Sequence, residues 1–129
     1  MSKKILVADD DVDVQEMIKM ALAGTGYEVI TANNGTEALN ALETDAPDLV
    51  ILDVMMAEPD EGFYVAQKMR KQGHDTPIIM LTSVSDAVGW DYDADDEMVP
   101  VDLFLNKPVK PDTIREKVEA LLSDQEVES

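Results

Sequence analysis

The chain contains no cysteine in 129 residues, which excludes a disulfide framework and any thiolate metal site. Long apolar runs are missing too. The first, Ile5 to Ala8, follows Met-Ser-Lys-Lys directly and is too short for a secretory core or a membrane span. A cytoplasmic protein is therefore expected. Basic residues are scarce, 10 against 28 acidic ones, and the formal net charge of −18 repels nucleic acid and anionic lipid while favouring solubility. Neither direct nucleic-acid binding nor a membrane partner is expected. The single histidine, His74, falls in the turn Gly73 to Pro77 and reads as a surface side chain, not a ligand or base. No G-x-x-x-x-G-K-[ST] or G-x-G-x-x-G sequence occurs, which removes the usual nucleotide readings.

What is present is an alternation of two kinds of segment. Short apolar runs (Ile5–Ala8, Leu49–Leu52, Ile78–Leu81 and Leu103–Leu105, the last within a strand expected around Val101 to Leu105, with a weaker one at Tyr27–Thr31) read as strands. Between them, Val14, Met17, Ile18, Ala21 and Leu22 recur at helical spacing and stop at Gly24 and Gly26. Ala38, Leu39 and Leu42 mark a helix that ends before Pro47; Phe63, Ala66 and Met69 mark one that ends near Gly73; Ile114, Val118, Leu121 and Leu122 mark the last. Continuous apolar strands separated by amphipathic helices predict a parallel sheet covered on both faces. Five such strands fit an α/β, flavodoxin-like fold in the order 2-1-3-4-5. The length predicts one domain over residues 1–122, followed by an acidic tail, 123–129, expected to be disordered. The stretch from Val84 to Pro100 lacks an apolar stripe and any basic residue, so the fourth helix is expected to be short, irregular or replaced by an acidic loop.

The strand ends carry the chemistry. Ile5–Ala8 runs into Asp9-Asp10, Leu49–Leu52 into Asp53, Ile78–Leu81 into Thr82-Ser83, and Leu103–Leu105 into Asn106-Lys107-Pro108. In a parallel sheet of this order all four endings meet at one edge. Three carboxylates there would repel one another unless a cation joined them, and Mg²⁺ suits oxygen ligands of this kind. Asp53 is then a candidate nucleophile toward phosphorus, with Lys107 supplying positive charge and Thr82 a hydrogen bond. Asp9-Asp10-Asp11 after the first strand would repel a preformed phosphate, which argues against a flavin site.

These segments, Ile5 to Asp11, Asp48 to Met56, Leu81-Thr82-Ser83 and Asn106-Lys107-Pro108, resemble in order and spacing the signature of two-component response-regulator receiver domains. The resemblance implies a stand-alone, chemotaxis-regulator-like receiver in which Asp53 accepts a phosphoryl group from a sensor histidine kinase or phosphotransfer protein. It implies that Asp10, Asp53 and the backbone carbonyl of Met55 hold Mg²⁺, with Asp9 acting directly or through water. Lys107 would bind the phosphoryl group, joined to Pro108 by a cis bond. Thr82 and Phe104 would be the switch residues, Phe104 lacking the hydroxyl of the tyrosine usual at its position. Such a protein is not an enzyme with a separate substrate. Its phosphorylation switches protein–protein interactions with a downstream protein the sequence does not identify, as a monomer or weak dimer.

The chain departs from the family pattern twice. Met55-Met56-Ala57-Glu58-Pro59-Asp60-Glu61-Gly62 replaces Met-Met-Pro-Gly-Met-Asp-Gly, one residue longer, and the acidic segment after Thr82 is also longer than usual. In the family the face formed by that segment, the fifth strand and the last helix carries the signal. A receiver-fold docking scaffold with vestigial phosphorylation is the alternative reading. An aspartyl-phosphate phosphatase ranks below both, since Met55 stands where such enzymes place a second acid. Asp91, Asp93 and Asp95 open like a calcium loop, but Asp96 stands where glycine is needed, so a solvated acidic loop is expected. Trp90 and Tyr92 are expected to fold back over the core, Asp11 to cap the first helix, and the eight methionines to be mostly core filler.

Overall fold

The computed structural model describes residues 3–54, 61–83, 101–107 and 109–128, with backbone alone for Ser83 and residues 123–128. Five parallel strands, β1 (Lys4–Ala8), β2 (Glu28–Ala32), β3 (Leu49–Asp53), β4 (Ile78–Ser83) and β5 (Leu103–Lys107), form one sheet in the order β2-β1-β3-β4-β5. Helices α1 (Val12–Leu22), α2 (Gly35–Asp45), α3 (Glu61–Lys71) and α4 (Pro111–Glu128) flank it. The expected α/β, flavodoxin-like architecture and strand order are what is observed. Among the described residues no helix is long and apolar enough to cross a membrane.

Side chains alternate across each strand, so every strand serves two cores. Leu6, Ala8, Val50, Leu52, Ile78 and Met80 pack with Ala38, Leu42, Val65 and Met69 of α2 and α3. Ile5, Val7, Leu49, Ile51, Ile79 and Leu81 pack with Ile18, Leu22, Ile114 and Val118 of α1 and α4. The central strands are buried on both faces, which is why β1 and β3 read as unbroken apolar runs.

Local chemistry sets the helix ends. Asp11 caps α1 as expected, its carboxylate accepting from the Asp13 N–H at 2.9 Å. Asn34 caps α2 through the Glu37 N–H at 2.9 Å, and Glu37 in turn accepts from the Asn33 N–H at 2.9 Å. At the end of α3, Gly73 takes φ 90° while the His74 N–H reaches Met69 O at 3.0 Å and the Gly73 N–H reaches Arg70 O at 3.1 Å. That pairing needs a left-handed residue, and glycine supplies it at little cost. The α2 terminus uses Ala46 instead, at φ 47° and ψ 62°.

Three sequence expectations shift. β5 begins at Leu103, not Val101, because Asp102 is spent on a clamp. Its carboxylate accepts from the Ile78 N–H at 2.8 Å and from Arg70 Nη2 at 3.3 Å, and Arg70 Nη1 also holds His74 O and Thr76 O at 3.0 and 2.8 Å. The helical pattern of α4 continues through Glu128, where a disordered tail was expected from Ser123; Glu126 and its neighbours include no proline or glycine to stop the helix. On α3 the buried face is Gly62, Val65, Ala66 and Met69, with Phe63 only half-buried at its margin. The expectations for Met55, for the 55–60 loop, for the helix between β4 and β5, Trp90, Tyr92 and the acidic segment 84–100, and for the peptide bond to Pro108 lie outside the described residues.

Candidate functional site

The carboxyl edge of the sheet gathers the predicted residues. Asp9 follows β1 directly, Asp53 is the last residue of β3, Thr82 sits near the end of β4, and Lys107 ends β5. Register explains the convergence: Ala8 lies opposite Leu52, Asp53 opposite Leu81, Thr82 opposite Asn106 and Ser83 opposite Lys107. Strands β3 and β5 extend through Asp53 and Lys107, so both groups project from paired backbone rather than from free loops.

Asp9 and Thr82 are wholly buried and Asp53 is 4% exposed, whereas Asp10 is exposed. Carboxylate oxygens of Asp9, Asp10 and Asp53 all lie within 4.8 Å of one another. The Lys107 ammonium faces two of them, at 3.1 Å from Asp9 Oδ2 and 3.2 Å from Asp53 Oδ1. Asp9 Oδ1 accepts from the Asp11 N–H at 2.9 Å. Asp9 Oδ2, buried, has no hydrogen bond of good geometry, so its contact with Lys107 is an ion pair of imperfect alignment.

Burial pushes the Asp53 carboxyl up from 3.8 to about 7, and the neighbouring Asp9 charge pushes the same way while Lys107 opposes both. For Lys107, burial favours the neutral amine, but Asp9 and Asp53 outweigh it and raise its affinity for the proton. The site thus holds more negative charge than one ammonium relieves. An all-oxygen donor set, an under-satisfied buried oxygen and a carboxyl resisting ionisation are what a hard divalent cation would relieve, and Mg²⁺ fits. Asp9, Asp10 and Asp53 are the described residues that would hold it.

Backbone geometry fixes Asp53 from the far side. Gly62 packs so closely that a Cβ there would stand 2.2 Å from Asp53 O and 2.9 Å from its carbonyl carbon. Only glycine allows this approach, and the Gly62 N–H donates to Val54 O at 3.0 Å. Beside it, the Glu61 carboxylate accepts from the Gly35 N–H, tying the start of α3 to the start of α2. Phe104, on β5 opposite Met80, is half-buried against Phe63, with ring centroids 6.3 Å apart and planes tilted by 53°.

One polar residue at this edge escaped the sequence reading. Gln15 of α1 is buried, and its side-chain amide donates to Asp9 O at 2.6 Å and Asn33 Oδ1 at 2.9 Å, with Ala32 O at 3.4 Å. The available signal was its spacing, since Gln15, Ile18 and Leu22 fall at i, i+3 and i+7 on the buried stripe.

Residues 5–119 match the response regulator receiver domain family. The chain is 37% identical over 131 residues to the alkaline phosphatase synthesis transcriptional regulatory protein PhoP of Bacillus subtilis, covering 98% of this chain and 51% of that protein. It is 41% identical over 126 residues to the response regulator MprA of Mycobacterium bovis, covering 95% of this chain and 51% of that protein. The chain thus spans about half the length of these relatives. Among solved structures, the chemotaxis response regulator CheY4 of Vibrio cholerae superposes with a TM-score of 0.78 at 29% identity, covering 93% of this chain and 98% of that one. The signal receiver domain of a LuxO repressor protein from Vibrio parahaemolyticus shares the fold, with a TM-score of 0.86 at 22% identity over 99% of this chain and 95% of that one.

Proposed function

The chain belongs to the response regulator receiver domain family, and on that premise we propose that it is a Mg²⁺-dependent phosphoacceptor whose nucleophile is Asp53. The observation that carries this reading is the meeting of a nearly buried Asp53 carboxylate with the Lys107 ammonium at 3.2 Å, inside a cluster that Asp9 and Asp10 complete.

An Asp53 carboxylate oxygen forms the new bond to phosphorus as the phosphorus–nitrogen bond of a phosphohistidine breaks, and the electron pair leaves with the imidazole, which is the better for protonation there. The donor is a sensor histidine kinase or a phosphotransfer protein. Lys107 already stands beside the reacting carboxylate, so it needs no reorganisation to meet the negative charge of the incoming phosphoryl oxygens. Asp9 and Asp10, together with Asp53, would hold Mg²⁺, which would supply positive charge against the carboxylates and the phosphoryl oxygens. The buried Thr82 on β4 and the half-buried Phe104 on the adjacent β5 are the residues through which phosphorylation reaches the surface. The transfer is stoichiometric, onto the protein's own side chain, with no separate substrate turned over. The acidic surface directs the output toward protein partners and away from nucleic acid.

Incubation with acetyl phosphate, with and without Mg²⁺, followed by intact-mass measurement tests the reading. A single phosphoryl adduct is expected only with Mg²⁺ and only when Asp53 is present. An adduct that persists in Asp53→Asn, forms equally without Mg²⁺, or never forms from acetyl phosphate or a histidine kinase overturns it.

A further inference from the structure

We propose that Gln15 is a positioning residue for the Asp9-Asp10 pair, setting the affinity of the acidic cluster for its divalent cation from a place outside the cluster. The inference rests on the phosphoacceptor reading and adds to it a residue that carries no charge and contributes no ligand.

Both peptide planes flanking Asp9 are fixed. The Asp9 N–H donates to Ala32 O at 3.1 Å, which anchors the preceding peptide to the end of β2. Gln15 Nε2 donates to Asp9 O at 2.6 Å, which anchors the peptide that joins Asp9 to Asp10. With both planes held, the direction of the Asp9 side chain is set, and so is the path of the backbone into Asp10. The Asp11 N–H bond to Asp9 Oδ1 at 2.9 Å then turns the remaining oxygen, Oδ2, toward Lys107.

The chemistry at position 15 is specific to an amide nitrogen. Nε2 is surrounded by three oxygens, Asp9 O, Asn33 Oδ1 and Ala32 O, and only an N–H donor can stand among them. A carboxylate of the same shape would repel all three. Asn33 is itself tied down, since its N–H donates to Glu37 Oε1 at 2.9 Å and its side-chain amide reaches the same oxygen at 3.3 Å. Gln15 therefore links the acidic loop after β1 to the capped start of α2. Burial matters to the strength of this link, because a buried amide that loses its acceptors has no water to replace them.

Gln15→Met tests this, since it keeps length and apolar volume while removing both donors. Mg²⁺ affinity is read by isothermal titration on the full chain, and thermal unfolding is read alongside. The expected result is a dissociation constant for Mg²⁺ raised about ten-fold. Phosphorylation by acetyl phosphate should need correspondingly more Mg²⁺ for half-maximal rate yet reach the wild-type rate at saturation. Gln15→Glu should weaken Mg²⁺ binding at least as much, through repulsion from the same oxygens. A dissociation constant within two-fold of wild type, with only the unfolding temperature lowered, overturns the proposal and leaves Gln15 a packing residue. If Gln15→Met does not fold, Asn33→Ala serves, because it frees the amide from its side-chain anchor; weakened Mg²⁺ binding supports the proposal and unchanged binding overturns it. Failure of the wild-type chain to bind Mg²⁺ overturns the phosphoacceptor reading and this inference together, an outcome distinct from wild-type binding that Gln15→Met leaves unaltered.

Discussion

The Lys107 ammonium lies 3.2 Å from Asp53 Oδ1, and the two groups stand at the ends of strands separated by β4. A cation supplied across an intervening strand depends on the register of the whole sheet, so the pair reports on the fold as well as on the site. Lys107→Met should leave Asp9 and Asp53 facing each other without a counter-charge, costing on the order of 2 kcal/mol of stability at neutral pH. Urea denaturation at pH 8 and pH 5 checks this, and the deficit should shrink at the lower pH, where Asp53 takes up a proton.

The raised Asp53 group gives the metal-free protein a pH dependence of definite sign. Between the ordinary value of 3.8 and about 7 the folded form holds a proton that the unfolded form has released, so stability falls as pH rises through that window and levels off above it. Mg²⁺ should reverse the trend by favouring the ionised carboxylate. Thermal unfolding with and without Mg²⁺ is the measurement; the increase in unfolding temperature should be larger at pH 8 than at pH 5.

Gly62→Ala should be more damaging than its size suggests. The new methyl would meet the Asp53 carbonyl oxygen at 2.2 Å, and backbone, not a flexible side chain, must move. A loss of about 1–3 kcal/mol is expected, together with slower phosphorylation of Asp53 by acetyl phosphate at saturating Mg²⁺. Unfolding free energy and adduct formation, measured on the same preparation, check both parts.

Ala46→Gly should stabilise the protein. Ala46 holds φ 47°, a left-handed conformation that costs a residue with a Cβ roughly 1 kcal/mol, and glycine removes most of that cost against some added freedom in the unfolded chain. A gain of about 0.5 kcal/mol in urea denaturation, with phosphorylation unchanged, is the expected outcome.

Much of this site was legible because strand periodicity and chemistry coincide. Apolar runs ending in Asp9, Asp53, Thr82 and Lys107 identify both the strands and the edge at which they meet, and the structure brings Asp9, Asp10, Asp53 and Lys107 together there. The spacing of Gln15 marks it for the buried stripe of α1, but its bond to the Asp9 carbonyl was not legible, since a glutamine looks the same in sequence whichever acceptor its amide meets. The start of β5 was missed for a similar reason: the Asp102 carboxylate takes over the Ile78 N–H, a side-chain event that apolar patterning does not encode. The extension of α4 past Leu122 follows from backbone propensity without an apolar stripe to mark it.

The clamp of Arg70 on His74, Thr76 and Asp102 has a consequence for how such a chain can diversify. It fastens the entry to β5 to the loop that precedes β4, so the pairing of these strands, and with it the placement of Lys107 beside Asp53, is held in part from the amino edge of the sheet. A change at Arg70 or Asp102 is therefore felt at the pair of Lys107 and Asp53, at the other edge of the sheet.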